Sequence, residues 1–181
     1  DEPLVSVESY DPSLGAWRDQ PPFFEARGCV AGAVVRGIMY ICGGYDYLDR
    51  SLASVERFDP AVGFWGFAPQ MSRPRAGPAV AACGARIWAC GGKAAADERL
   101  SCAECFDVDV GVWEVLGERL SSCRNGAAAA AFAGCCFVFG GYDGEEVLRT
   151  AEMFDRSKGA WVRLPPMTQP RWSLTAVAIV V

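Results

Sequence analysis

Histidine is entirely absent from the 181 residues of this chain. It is the commonest general base, the usual activating partner of serine and cysteine nucleophiles, and a frequent metal ligand. Its absence disfavours most hydrolytic and many metal-dependent activities. We therefore expect a protein that is not an enzyme, with no catalytic residue, no bound metal and no cofactor.

Long hydrophobic runs and clusters of basic residues are also missing. No run reaches the roughly 18 apolar residues that cross a bilayer. The formal net charge is −5, and the lysines and arginines are scattered along the chain. We therefore expect neither a membrane nor a nucleic acid as a partner.

The nine cysteines form an odd set. In a secreted protein one of them would be left without a disulfide partner, whereas in a reducing compartment all nine can be small buried thiols. We favour the second alternative, which predicts a cytoplasmic protein.

The chain does contain a repeat of about 48 residues, marked by a glutamate, a tryptophan, an arginine and a pair of glycines. The glutamates and the tryptophans each recur at intervals of 48, and the other markers recur within one residue of that spacing. The markers are Glu8, Glu56, Glu104 and Glu152; Trp17, Trp65, Trp113 and Trp161; Arg27, Arg75, Arg124 and Arg171; and Gly43-Gly44, Gly91-Gly92 and Gly140-Gly141. Four markers in one order at one period predict a repeat protein.

Each unit is predicted to form four short strands. In one unit they are the small apolar stretch Gly77 to Cys83, the stretch Arg86 to Cys90 that ends on Gly-Gly, the alternating stretch Ala103 to Asp107, and a last strand around Trp113. The alanine run 127–131 favours a helix by propensity alone, but the repeat places it in a first strand. Four short strands in about 50 residues predict an all-β protein, a β-propeller.

The order Arg, Gly-Gly, Glu-x-aromatic-Asp, Trp resembles the kelch repeat. The resemblance implies a kelch β-propeller of four-stranded antiparallel blades. We expect full blades at about 24–70, 72–118 and 121–166, a partial blade at 1–20, and a partial blade at 167–181 that opens with a first strand from Leu174 to Val181. Kelch propellers of the adaptor type usually have about six blades. The chain would then be a segment of a larger ring, or alternatively a small ring whose terminal strands complete one another.

Two features of the sequence have the residue types of a metal-binding or catalytic site. Cys102-Ala-Glu-Cys105 has the spacing of half a zinc site, but Cys102 replaces Ser54 and Thr150 of the sister units, and no second pair has that spacing. We interpret both cysteines as structural. The recurring glutamates fall in different units, which separates them around a ring. We therefore interpret them as buried carboxylates satisfied by backbone N–H groups or an arginine, and the Gly-Gly pairs and tryptophans as structural too.

The loops after Gly-Gly and before each first strand should lie on one face, and they vary between units, as a binding surface requires. In kelch-like adaptors this face binds peptides, and the resemblance implies contacts from the residue after Gly-Gly, an arginine five positions later, the recurring arginine, and the residue after it. These positions are Tyr45, Lys93 and Tyr142; Arg50; Arg27, Arg75, Arg124 and Arg171; and Asn125. The pattern departs from the family where Glu98 and Val147 replace the equivalent of Arg50, and where Gly28, Ala76 and Trp172 replace small polar residues.

The predicted function is a non-catalytic protein–protein interaction module that binds a protein or peptide. It would be the substrate-recognition propeller of a kelch-like adaptor, serving a cullin-RING ubiquitin ligase through regions outside this segment. The alternatives are a scaffold propeller that binds actin or another cytoskeletal protein, and an enzyme resembling sialic-acid mutarotases, which needs only a few positioned polar groups.

Overall fold

A computed structural model describes residues 2–95 and 98–179. These residues form fourteen β-strands of four or five residues, joined by turns and loops. The strands are β1 Val7–Asp11, β2 Ala16–Gln20, β3 Ala31–Val35, β4 Ile38–Cys42, β5 Val55–Asp59, β6 Phe64–Ala68, β7 Ala79–Cys83, β8 Arg86–Cys90, β9 Ala103–Asp107, β10 Val112–Val115, β11 Ala128–Phe132, β12 Cys135–Phe139, β13 Ala151–Asp155 and β14 Ala160–Leu164. Within this part of the chain, no helix is long and apolar enough to cross a membrane.

The strands pair in chain order, always antiparallel, and form four sheets. We call them blade 1 (β1–β2), blade 2 (β3–β6), blade 3 (β7–β10) and blade 4 (β11–β14). The predicted all-β fold of four-stranded antiparallel blades is thus confirmed for three blades, whereas blade 1 has two strands. The alanine run lies in β11, so the position in the repeat predicted its structure correctly where helix propensity did not.

Small side chains bring the first strands of neighbouring blades together. Strand β7 lies against both β3 and β11, and these strands consist largely of alanine, glycine and valine. A cavity of about 450 Å³ lies beside them, lined by residues 29–32, 77–80, 126–129 and 173–176. The apolar core fills the space between blades: one cluster includes Tyr40, Cys42, Ile87 and Phe106, and the other Trp88, Cys90, Cys136, Val138 and Phe154.

Each Gly-Gly pair is required by the contact with the next blade. The first glycine has a positive φ of 60 to 64°, and a Cβ there would lie 2.2 to 2.4 Å from the carbonyl oxygen of the next recurring arginine. The backbone N–H of the second glycine donates to that same oxygen at 2.8 Å. A side chain would therefore separate the two blades.

The repeated markers are buried only where a neighbouring blade covers them. Trp65 is 7% exposed, and its indole N–H donates to the Pro21 carbonyl at 2.7 Å. In blade 1, by contrast, Trp17 is 66% exposed and Glu8 lies on the surface. No blade precedes Glu8 and Trp17 in the described part of the chain, so the structural role of these two residues stays a prediction.

The sequence predicts a first strand over residues 174–181. The structure assigns no strand to residues 174–179, so the prediction is wrong there. A strand needs a partner to accept its backbone hydrogen bonds, and no second strand follows this stretch among the described residues. Val180 and Val181 lie outside them.

Candidate binding face

A buried ion pair lies beneath the loops of blades 2, 3 and 4. In blade 3 the side chains of Arg75 and Glu104 are both fully buried, with Nη2 and Oε1 2.8 Å apart. Arg75 also donates to the carbonyl oxygens of Gly91 and Cys102, and the Ser72 backbone N–H donates to Glu104 at 2.7 Å. The equivalent pairs are Arg27–Glu56 and Arg124–Glu152, at 2.9 and 2.6 Å. We call these three pairs the buried nodes.

The buried nodes revise the roles predicted for three arginines. Arg27, Arg75 and Arg124 were predicted to contact a peptide, but each guanidinium is fully buried and occupied by its own blade. Burial lowers the pKa of the Arg124 guanidinium, while the neighbouring Glu152 carboxylate acts in the opposite direction. No surface of these side chains remains for a ligand, so we assign them to the scaffold, whereas Arg171 is exposed and remains a candidate.

The nodes also explain the presence of Cys102, whose spacing from Cys105 is that of half a zinc site. Arg75 Nη2 lies 3.4 Å from the sulfur of Cys102. In the sister nodes the same nitrogen of Arg27 and Arg124 donates to the hydroxyls of Ser54 and Thr150. Cys102 is therefore a weak acceptor in a hydroxyl position, in agreement with the structural interpretation.

The remaining cysteines show no feature of a metal site. Burial raises the pKa of the Cys105 thiol to about 11 and that of Cys42 to about 12, which disfavours the thiolate that binds metals. Among residues 2–95 and 98–179, no three His, Cys, Asp or Glu side chains are grouped so that they could hold a metal ion.

Two sets of loops meet at one end of the blades, as the sequence predicts. In each complete blade, the residue after Gly-Gly and the residue after the recurring arginine exchange two backbone hydrogen bonds of 2.8 to 3.0 Å. The pairs are Gly28 with Tyr45, Ala76 with Lys93, and Asn125 with Tyr142. This bridge places Tyr45, Lys93, Tyr142 and Asn125 on the same face, which we call the loop face.

A ladder of backbone hydrogen bonds links neighbouring blades below the loop face. The N–H of Gly77 donates to the Cys29 carbonyl, that of Gly126 to the Gly77 carbonyl, and that of Ser173 to the Gly126 carbonyl, at 2.8 to 2.9 Å. Above the ladder lies a pocket of about 170 Å³, which we call the mouth pocket. Its lining residues are Cys29, Tyr45, Asp49, Ala76, Gly77, Lys93, Asn125, Gly126, Trp172 and Ser173.

Side chains of neighbouring blades contact one another across the loop face. Asp49 of blade 2 lies 3.7 Å from the ammonium of Lys93 in blade 3. The guanidinium of Arg99 lies over the ring of Tyr142 in blade 4, 4.9 Å from its centre, and that ring contacts Trp172 at 5.9 Å. These contacts favour one arrangement of the loops, and a preorganised surface loses less conformational entropy when it binds a ligand.

Arg50 is placed on the loop face but is engaged within its own loop. Its guanidinium lies 2.6 Å from Asp46, and this hydrogen bond is the main reason that the pKa of Asp46 is lowered. The side chain of Arg50 is nevertheless 70% exposed, so a ligand can still approach it.

Sequence reasoning did not find Asp49, nor the contribution of Cys29, Gly77, Gly126 and Ser173 to the pocket floor. The floor residues had a detectable signal, because each stands two positions after a recurring arginine. Asp49 had none: it belongs to a loop whose composition differs in every blade, so its position depends on the folded loop.

The repeat geometry agrees with a family model. The model of the Kelch motif matches residues 26–72, 74–118 and 123–168. The chain belongs to the kelch-repeat family. Kelch repeats commonly mediate protein–protein binding, and in this kelch chain the matched residues contain the three complete blades with their buried nodes.

The kelch chain also resembles solved structures. A structure of YjhT superimposes with a TM-score of 0.82 at 17% sequence identity. The alignment covers 95% of this chain and 65% of that one, so the kelch chain spans about two thirds of the length of YjhT. At this identity the similarity shows the propeller fold alone. A sequence search of the curated proteins finds no match.

Proposed function

We propose that the chain is the recognition propeller of a kelch-like adaptor, and that its loop face binds a peptide segment of a protein client without catalysing a reaction. The observation that supports this most directly is the contrast on the loop face: variable side chains lie on loops that inter-blade contacts hold in place. The fixed loops give affinity at low entropic cost, and the variable side chains give selectivity.

The buried nodes support the non-catalytic part of the proposal. Acid–base chemistry needs carboxylates that reach a substrate, whereas Glu56, Glu104 and Glu152 are buried and paired. The cytoplasmic location is also part of the proposal, since the nine cysteines are free thiols and a reducing compartment keeps thiols in that state. The proposed link to a cullin-RING ubiquitin ligase is supported only by the resemblance of the repeat to kelch-like adaptors, and it is tested separately below.

The test uses a matched pair of variants. Lys93→Ala breaks the Asp49–Lys93 ion pair on the loop face. Arg36→Ala breaks an ion pair with Asp109 that also joins blades 2 and 3, but in turns at the opposite end of the blades. Both variants and the unmodified sequence are expressed within the full-length protein that contains this segment, and the proteins they retain are identified by quantitative mass spectrometry.

We expect Lys93→Ala, alone or together with Tyr45→Ala, to reduce retention of a client at least tenfold, and Arg36→Ala to leave it unchanged. A cullin recovered with the client would support the ligase adaptor, and clients without any cullin would exclude that branch. Equal retention by the two variants would show that the loop face is not the binding surface. Actin or another cytoskeletal protein as the lost client would favour the scaffold alternative.

A further inference from the structure

The outer strand of blade 2 differs from those of the other blades in its charge. Strand β6 pairs with β5 along one edge, and its other edge makes no backbone hydrogen bond to the described residues. Proteins usually place charged side chains on such a free edge, because its unpaired N–H and C=O groups can pair with another strand. The other outer strands follow this rule, with Arg18 and Asp19 in β2, Glu114 in β10 and Arg163 in β14. Strand β6 reads Phe64-Trp-Gly-Phe-Ala68 and has no charged residue, so its free edge is unprotected.

Two phenylalanines of β6 are exposed, one on each face of the sheet. Successive side chains of a strand point to opposite faces, so Phe64 and Phe67 lie on different faces, where they are 68% and 59% exposed. Phe67 stacks on Phe24, which is also exposed, with 5.0 Å between the ring centres. The equivalent positions of this stack are Ser72 and Val115 in blade 3, and Ser121 and Arg163 in blade 4. Aromatic side chains that stay exposed beside a free strand edge indicate an interaction surface that is particular to blade 2.

The sequence of β6 fits a second copy of itself. Residues that lie opposite each other in an antiparallel pair point to the same face, and Phe64 and Gly66, two positions apart, also share a face. Two copies can therefore pair so that each Phe64 ring covers the bare backbone of Gly66 in the other copy. A ring placed over a glycine in this way stabilises the pairing of strands. The space above Gly66 is open, because the nearest atom to a Cβ there, beyond its chain neighbours, would be Arg57 Nε at 3.9 Å.

We propose that two copies of this chain pair through β6, antiparallel about a two-fold axis, and form a dimer by the outer edge of blade 2. Charge supports an identical copy as the partner. Self-pairing of such short strands would bring Glu114 of β10, or Arg163 of β14, close to its own copy, whereas β6 brings no like charges together. Each copy uses its uncharged edge once, so the assembly closes as a dimer. The inference goes beyond the proposed function, because β6 contributes no residue to the mouth pocket.

The test places the charge of a sister strand on β6. Gly66→Glu copies Glu114 of β10, and Val115→Glu adds the same charge to β10 itself as the matched control. Because five residues make a small interface, we expect the full-length protein that contains this segment to dimerise with a Kd of about 10–100 µM in sedimentation equilibrium. Gly66→Glu should weaken the dimer about tenfold or more, and Val115→Glu should leave it unchanged. Gly66→Lys should weaken it too, but an equimolar mixture with Gly66→Glu should regain dimer, since the two side chains are diagonal neighbours about 7–8 Å apart across the pair.

Three results would overturn the inference: a protein that stays monomeric up to about 0.5 mM, equal Kd values for Gly66→Glu and the unmodified protein, or a mixture of the two charged variants that dimerises no better than either alone. The urea midpoint of Gly66→Glu establishes that this variant folds, which we expect because Gly66 does not have a positive φ. A monomer in which Gly66→Glu loses a retained protein, while Val115→Glu keeps it, would assign β6 to a client strand and would reject the dimer.

Discussion

The buried nodes and the loop face lie next to each other in every complete blade. The nodes are nearly the same in all three blades, whereas the loops that form the loop face differ from blade to blade. Each node repeats the same arginine, the same glutamate and the same carbonyl acceptors. The first residue of each loop above them is tyrosine, lysine or tyrosine, and the loops then diverge. Within one blade, the repeated part holds the strands together and the varied part is exposed to ligands.

The difference arises from the cost of changing each part. Every donor of a buried guanidinium that loses its acceptor, and every carboxylate that loses its cation, remains desolvated. A loop side chain that is changed is simply hydrated. Repetition along this chain therefore marks positions with high structural cost, and a repeated charged residue is by itself a poor guide to a binding site.

The largest effect should follow from breaking a node. Glu104→Gln leaves the buried Arg75 without a counter-charge, and we expect it to lower the free energy of unfolding by about 4 kcal/mol, within the range for broken buried ion pairs. Urea denaturation followed by tryptophan fluorescence measures this loss.

Glu8→Gln is the matched control, because Glu8 occupies the same repeat position but is exposed. We expect it to change stability by less than about 0.5 kcal/mol, as surface substitutions usually do. Equal losses of stability for Glu104→Gln and Glu8→Gln would show that the buried node contributes no more to the free energy of unfolding than the exposed Glu8 does.

A smaller loss should follow from separating two blades at a glycine. Gly91 has a φ of +64°, and an alanine Cβ there would lie 2.2 Å from the Arg124 carbonyl oxygen. We expect Gly91→Ala to cost about 3 kcal/mol from the left-handed backbone and the clash together.

A substitution at Gly63 separates the backbone strain from the clash. The φ of Gly63 is +74°, but beyond its chain neighbours no atom lies within 4 Å of the position that an alanine Cβ would take. Gly63→Ala should therefore cost only the backbone term, about 1 kcal/mol. If the two alanine variants unfold at the same urea concentration, the close approach between blades is not what requires glycine at position 91.

Much of this architecture could be predicted from the sequence, because its determinants are local and repeated. The spacing of Trp65 and Trp113 gave the period, and the period assigned the alanine run of β11 to a strand against its helix propensity. The alignment of Cys102 with Ser54 and Thr150 predicted that its side chain takes the place of a hydroxyl, and the Cys102 sulfur does lie beside Arg75 in the node. In each case the sister units served as an internal comparison.

The binding residues were harder to predict, because the direction of a side chain depends on the fold. Arg75 and Lys93 are both cations beside the loop face, but the Arg75 side chain is fully buried and that of Lys93 is 26% exposed. Spacing cannot distinguish them, since both follow the repeat.

Cys102 is the one sulfur acceptor among the three nodes, and replacing it should change the free energy of unfolding by about 1 kcal/mol or less. Cys102→Ser recreates the hydroxyl found at Ser54 and Thr150, so we expect stability to change by less than about 0.5 kcal/mol. Cys102→Ala leaves one donor of Arg75 without an acceptor and should cost about 1 kcal/mol. Equal urea midpoints for the serine and alanine variants would show that this sulfur is not a functional acceptor.

The smallest effect concerns the acid response of the loop face. The Arg50 side chain, assisted by the backbone N–H groups of Arg50 and Leu48, holds the pKa of Asp46 below its ordinary value of 3.8. A lowered carboxyl pKa stabilises the folded state above the unfolded pKa, and that contribution is lost as the pH falls through the folded pKa. The loop should therefore be unchanged between pH 5 and 7 and loosen only below about pH 4.

Arg50→Ala should raise the pKa of Asp46 only part of the way to 3.8, because the two backbone donors remain, and NMR titration of the Asp46 carboxyl carbon measures both values. Full return to 3.8 would mean that the backbone donors do not hold the carboxylate, and that the loop face depends on Arg50 for its shape.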